Sequence, residues 1–334
     1  MFILSSYAMA VFFCVITMFC WGSWANAQKL AEKQWRFELF YWDFSLGVLL
    51  LSLLFALTLG NTGGPGRPFF SDLSQAAGSN ILSAFIGGII FNIANTLLVV
   101  AIDIAGMAVA FPVGIGIALV LGIIINYIAA PAGNPVILFS GVALVVVAIL
   151  LDARAYGKLS SQQHQVPVKG IVFSVLCGIL MGLFYRFVAS AMVTNFSQPE
   201  MGKLGPYSAV VCFSAGVLAS SFIIVPFIMK KPVKGPPVMM ADYFRGNLRN
   251  HLTGILGGLI WCIGMSFSIL ASERAGFAIS YGLGQGATMV AACWGVFFWK
   301  EFKGAPAGTN RLLTLMMIAY VLGLACIILA RVYA

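Results

Sequence analysis

The chain has 334 residues, of which 61% are hydrophobic and 9% charged, and its formal net charge is +9. That balance lies far outside soluble globular proteins and excludes a fold whose only solvent is water. Seven cysteines, at positions 14, 20, 177, 212, 262, 293 and 326, all fall inside apolar runs, so they read as small buried hydrophobes and exclude a disulfide framework.

About 20 apolar residues are needed to cross about 30 Å of hydrocarbon. Such windows predict ten spans, near 7–27, 39–59, 80–102, 104–127, 136–152, 168–192, 206–229, 249–271, 274–298 and 311–331. The first ends in Ala25-Asn26-Ala27, which imitates a signal-peptide cleavage site. No basic residue precedes it and it has a counterpart in mid-chain, so it reads as a span. The longest connectors, Gly60 to Ser79 and Lys230 to Asn247, are Gly/Pro-rich in the first case and long enough for a short interfacial helix in the second.

The sequence repeats itself. A shift of 170 residues lays Asn80 on Asn250, Gly87-Gly88 on Gly257-Gly258, Asp103 on Glu273, Ala105-Gly106 on Ala275-Gly276, Gly114 on Gly284 and Gly116 on Gly286. A shift of 169 lays Phe44-Ser45 and Gly47 on Phe213-Ser214 and Gly216, and one of 160 lays Gly22 on Gly182 and Asn26 on Arg186. The chain therefore divides into a first five-helix repeat, 1–159, and a second, 160–334. Five is an odd number, so the second repeat enters the membrane in the opposite sense, an inverted topology suited to alternating access.

Charge sets the expected orientation. Loops after the odd-numbered spans hold Lys29, Lys33, Arg36, Arg154, Lys158, Lys169, Lys230, Lys231, Lys234, Arg245, Arg249, Lys300, Lys303 and Arg311; the other face has only Arg67, Lys203, Arg274 and Arg331. The positive-inside rule puts the basic loops in the cytoplasm and both termini outside, as for a bacterial inner membrane. The positive charge then serves topology and attraction to anionic lipids, with no nucleic-acid partner.

Polar groups within spans are costly, which makes each a site candidate. Arg186 lies well inside the sixth span; a cavity-facing role stands beside snorkelling or a structural ion pair. Asp43, about two turns into the second span, is a candidate carrier of a coupling proton, or else an interfacial partner of Lys33 or Arg36. Asn92 and Asn95 lie three apart on the third span and offer donors and acceptors to a neutral polar solute or to a neighbouring helix. Phe111-Pro112-Val113-Gly114-Ile115-Gly116 and Tyr281-Gly282-Leu283-Gly284-Gln285-Gly286 permit close packing or a local break, with Gln285 adding an amide. Trp21, Trp24, Trp261 and Trp294 offer flat walls or interfacial anchors. The only histidines are His164 and His251, and no zinc, triad or phosphate-loop motif is present, which argues against an enzyme and leaves no cofactor expected.

These motifs, in this order, resemble the drug/metabolite transporter superfamily over nearly the full chain. Trp21-Gly22-Ser23-Trp24 with Lys29, and Gly114-Ile115-Gly116-Ile117-Ala118, are similar to the glucose/ribose and L-rhamnose transporter branches. Tyr41-Trp42-Asp43-Phe44-Ser45, the Gly-rich loop from Gly60, Asn95, Ala275-Gly276-Phe277 and Trp294-Gly295 with Glu301 resemble ureide permeases. The resemblance implies an all-α fold of ten helices in a five-plus-five inverted repeat, importing a sugar, ureide or nucleobase-like compound. The expected coupling ion is a proton or sodium, and the expected state a monomer or homodimer. A metabolite or multidrug exporter working as a proton antiporter is the alternative.

A midplane site is therefore expected, lined by the first, third, fourth, sixth, eighth and ninth spans. Asn92, Asn95, Gln285 and Arg186 are expected to recognise solute, with Asn26 at the position equivalent to Arg186. Trp21, Trp24, Trp261, Tyr281 and Phe111 are expected to form walls, and Asp43 to carry the coupling proton.

Overall fold

The computed structural model describes residues 1–159, 167–232 and 235–334, with the backbone alone at 108 and 111. His164, Lys234 and the expected junction of the two repeats lie outside the described residues, as does the side chain of Phe111.

The described chain is helical. The helices are α1 (Tyr7–Ser23), α2 (Phe37–Leu57), α3 (Phe69–Gln75), α4 (Gly78–Ala105), α5 (Met107–Ala110), α6 (Gly116–Ala129) and α7 (Pro135–Leu159), then α8 (Val168–Ala191), α9 (Pro206–Lys230), α10 (Met240–Phe244), α11 (Leu248–Ala275), α12 (Phe277–Gly284), α13 (Ala287–Cys293) and α14 (Thr309–Val332). A tighter 3-10 turn, Trp24–Leu30, continues α1, and wider π turns occupy Phe111–Ile115 and Trp294–Phe298. Among the described residues, nine helices are long and apolar enough to cross a membrane. The chain is an integral membrane protein.

The ninth expected span, 274–298, is not one helix. It is α12, a break at Gly284-Gln285-Gly286, α13 and a π turn. The expected fourth span starts after a sharp turn and passes through a π turn at Pro112, where the ring supplies no N–H to the helical ladder.

Two central helices of equal length, α4 and α11, each have 28 residues and each end in a glycine of positive φ, Gly106 at 77° and Gly276 at 85°. A side chain there would strain the backbone, so Gly is what lets the chain reverse within one residue. Each long helix has corresponding partners: α4 packs on α8 and α9, α11 on α1 and α2. Glycines set the crossings. A Cβ on Gly88 would sit 2.0 Å from the Phe213 carbonyl oxygen and one on Gly216 2.0 Å from that of Phe85; a Cβ on Gly258 would sit 2.2 Å from that of Phe44 and one on Gly47 2.4 Å from that of Ile255. Such backbone-to-backbone approach is how helices associate where lipid removes the hydrophobic drive between them. α7 and α14 form a separate pair at the edge, Gly141 against Gly323.

Candidate functional site

Between α1, α4, α8 and α11 lies a cavity of about 470 Å³. Toward the end of the bundle that bears Arg36 and Lys231 it adjoins a polar recess of about 210 Å³, with Phe37, Val99 and Asp103 common to both. The opposite end is sealed. There Arg67 bonds Asp72 and the carbonyls of Glu200 and Lys203, Tyr207 donates to the Phe2 carbonyl, and Glu273 accepts the Phe196 N–H at 2.7 Å.

The walls are aromatic and firmly held. Trp261 stacks between Trp21, at 5.8 Å and 16°, and Phe213, at 5.7 Å and 15°, with Phe91 at 4.3 Å. The Trp21 indole N–H donates to the Trp261 carbonyl at 3.3 Å. Gly264 and Gly284 make room for the Trp21 ring, since a Cβ on either would approach it to 2.6 and 2.7 Å. Trp24 lies on Phe44 with centroids 4.6 Å apart. A flat, rigid apolar wall of this kind favours solutes with planar or otherwise extended apolar faces.

The rest of the polar lining is neutral, apart from the Asp103 carboxyl at the edge shared with the recess. The α12–α13 break turns Gln285 and Thr288 toward the cavity; the Gln285 N–H is satisfied by the Tyr281 and Gly282 carbonyls, and the Thr288 hydroxyl by the Gln285 carbonyl at 2.9 Å. Irregular backbone at membrane depth is tolerated where it lines a cavity. Asn95 donates through Nδ2 to the Tyr41 hydroxyl at 3.0 Å, leaving its Oδ1 without a partner among the described residues.

Four pairs of lining residues are related by the sequence shifts. Trp21 and Met181, and Trp24 and Phe184, stand 160 apart; Phe91 and Trp261, and Ile115 and Gln285, stand 170 apart. The cavity thus draws lining residues in pairs that keep the offsets seen in the sequence.

Of the expected site residues, Asn95, Gln285, Trp21, Trp24 and Trp261 meet in the cavity. Asn92 does not line it: Nδ2 donates to the Val217 carbonyl and to the Ser220 and Ser221 hydroxyls at 2.8 to 3.1 Å, so it ties α4 to α9. Three residues along a helix rotate the side chain to about 60° from the starting direction, enough to separate packing from lining. Tyr281 is fully buried and donates to the Ala118 and Met181 carbonyls, both at 3.1 Å, plugging α12 onto α6 and α8. Asn26 accepts the Trp299 indole N–H at 2.8 Å, and Arg186 is half-buried on α8; neither lines the cavity.

Asp43 stands apart from the cavity, 2% exposed, accepting from the Tyr243 hydroxyl at 2.7 Å and facing His251 Nδ1 at 2.9 Å. Its partners are therefore neither Lys33 nor Arg36. Burial and the Asp43 charge push the Tyr243 phenol up, so that it stays a donor. Thr288, Asp103 and Phe91 were not expected to line the site; an acid ending an apolar helix at Asp103 was the one signal available.

The ureide permease family model matches residues 40–167 and 158–330. Ureide permease 1 of Arabidopsis thaliana is 22% identical, covering 97% of each chain. A putative sugar uptake protein of Streptococcus pyogenes serotype M6 is 24% identical over 88% of this chain and 90% of its own. One solved crystal structure shares the fold end to end, with a TM-score of 0.57 at 16% identity over 98% of this chain and 99% of that one. With the match running through both halves and the cavity set between them, the chain belongs to the ureide permease family and is a membrane transporter of small solutes, not an enzyme.

Proposed function

We propose that the protein is a secondary active transporter that imports a small neutral polar solute, a sugar or a ureide- or nucleobase-like compound, together with protons by alternating access. The observation that carries this reading is the cavity's chemistry: tryptophan and phenylalanine walls with Asn95, Gln285 and Thr288 as hydrogen-bonding groups, the one lining acid, Asp103, standing at the edge shared with the recess. Neutral donors and acceptors on rigid apolar walls recognise a compact uncharged solute without the desolvation cost of a charge. The names of the relatives, ureide permease and sugar uptake protein, agree with that class.

Ten crossings in two inverted repeats, 1–159 and 160–334, are the architecture of this proposal, the broken segment 277–298 supplying the ninth crossing. The matched glycine crossings and the four shift-related lining pairs support it. With the basic loops in the cytoplasm of a bacterial inner membrane and both termini outside, the cavity faces inward and the seal around Glu273 is the outer gate. Asp43 remains the coupling candidate, acting through Tyr243 and His251 on the mutual packing of α2, α10 and α11.

The test is a thermal-shift screen of the purified protein against sugars, ureides, nucleobases and organic cations, followed by uptake of any hit into proteoliposomes. A ligand of the folded state raises the melting temperature by mass action. Stabilisation by a neutral polar compound, with uptake driven by an imposed pH gradient, is expected. Stabilisation by apolar cations alone would sink the importer reading in favour of export. Asp43→Asn should keep solute exchange and lose gradient-driven uptake; an unchanged pH dependence would remove Asp43 from coupling.

A further inference from the structure

A second carboxylate lies buried elsewhere, on the α7–α14 pair. Asp152 is about two turns from the basic end of α7, 6% exposed, and its Oδ1 has no hydrogen-bond partner among the described residues. On the facing helix α14, Tyr320 is fully buried, and its hydroxyl has no partner within hydrogen-bond distance among the described residues.

The charges around Asp152 do not neutralise it. One turn along α7 from Asp152, Tyr156 holds Glu301, so the charge brought to this face of the helix is another acid. On its own helix, Arg154 is exposed and Lys158 donates to the Ala307 carbonyl at 3.0 Å. Lys300, Lys303 and, on α14, Arg311 are exposed. Tyr156 donates to Glu301 Oε2 at 3.0 Å, and Lys29 lies 3.6 Å from Glu301 Oε1, so the Lys29 charge is committed to Glu301. An ionised carboxylate with an unpaired oxygen, no cation paired with it among the described residues and an acid near its helix face is not a state that a buried membrane site sustains.

Polar groups lead away from Asp152 in two directions. Toward the cavity, Tyr320 neighbours both Asp152 and Thr288, and Thr288 lines the solute cavity beside Gln285. Toward the basic end, Glu301 reaches Lys29 at the close of the 3-10 turn Trp24–Leu30, where the Lys29 ammonium also caps the Trp299 ring at 4.0 Å. Trp299 and Trp294 in turn donate to Asn26 and Ser23 at 2.8 Å. Trp24 and Gln28, within that same turn, line the cavity.

We infer that Asp152 is a proton-binding site of the transporter, connected to the solute cavity through Tyr320 and Thr288 and to the basic end through Glu301 and Lys29. With its proton bound, Asp152 is neutral, and Glu301 is free to hold Lys29 and so the 3-10 turn against the Trp294–Glu301 segment. Loss of that proton places two carboxylates side by side, Glu301 is displaced, and the turn carrying Trp24 and Gln28 is released. Proton occupancy thereby acts on the cavity wall.

The occupancy itself does not depend on the transport reading; only its coupling to solute does. The first measurement is therefore infrared titration of the purified protein without solute. The wild type should show a protonated-carboxyl band at neutral pH that Asp152→Asn removes and Asp43→Asn leaves. Glu301→Gln should move the pH at which that band disappears. A spectrum unchanged by Asp152→Asn overturns the assignment, as does loss of the band on adding sodium at constant pH, which would make this a sodium site. Should Asp152→Asn not purify folded, Tyr320→Phe must shift the band by deleting the neighbouring hydroxyl, and an unshifted band overturns the proposal. In proteoliposomes, Asp152→Asn should then lose accumulation under a pH gradient while retaining exchange of the solute found above. Band loss with intact accumulation would overturn the link to the cavity while leaving the proton site, and absence of any transport in the wild type would count against the transport reading alone.

Discussion

Ile115 and Gln285 stand 170 residues apart, each nine residues beyond a glycine turn of positive φ, at Gly106 and Gly276, and both line the cavity. Their surroundings differ. In the first half the backbone passes through a π turn into α6 without a break, and Gly116 has nothing within 4 Å of a would-be Cβ. In the second half the helix stops at Gly284, and Gly284 and Gly286 are pressed against Trp21 and Met18 of α1. The two stretches thus share a place in the wall, while at this pair the amide sits on one side only. On the proposed repeat, a shared architecture supplies the cavity and divergence within it adjusts the polar lining.

The largest effect should come from what the halves share. Gly88→Ala and Gly258→Ala each drive a Cβ to 2.0 and 2.2 Å from a backbone oxygen of the neighbouring helix. Neither contact can be relieved by turning a side chain, so each should cost about 3 kcal/mol or more. Yield of monodisperse protein and melting temperature measure this, and the two losses should match. A large cost at one crossing and a small one at the other would break the equivalence of the halves.

Next comes what they do not share. Gln285→Leu removes an amide from a site that hydrogen-bonds its solute, and affinity should fall about ten- to a hundredfold. Ile115→Val trims one methylene and should change affinity by less than about fourfold. The exchange Ile115→Gln with Gln285→Ile should recover part of the loss seen with Gln285→Ile alone, because the amide re-enters the same cavity from the equivalent position. No recovery would show that the backbone break, and not the amide alone, makes the site.

Much of this was legible in the sequence. The repeat offset pointed to both Gly106 and Gly276 turns, and nine of the apolar windows fall on the nine long helices, with ends off by up to eight residues. The break at Gly284–Gly286 was foreseen only as a possibility, because glycines at that spacing also serve continuous packed helices. From the sequence, Asp43 stands between a proton-carrying role and an interfacial pairing with Lys33 or Arg36; its partners lie 200 and 208 residues away in sequence, on α10 and the start of α11, beyond the reach of any local pattern. His251 was given no role from the sequence for the same reason. Asp152 drew no notice, since its fifth span ends among Arg154 and Lys158 and looks interfacial; only the packing of α14 buries it.

The smallest expected effects separate two asparagines one turn apart. Asn95→Ala deletes the one free amide acceptor facing the cavity from α4 and should weaken solute binding about three- to tenfold. It loses a single bond to Tyr41, so the melting temperature should barely move, since an interhelical hydrogen bond in a membrane averages about 0.6 kcal/mol. Asn92→Ala deletes three donations to α9 and should cost about 1–2 kcal/mol of stability while leaving affinity unchanged within about twofold. Both variants are small, conservative in volume and on the same helix, so a shared folding defect would lower both melting temperatures together. If Asn92→Ala lost binding and kept its stability, the cavity would have to reach the α4–α9 contact, and the division of α4 into a packing face and a lining face would fail.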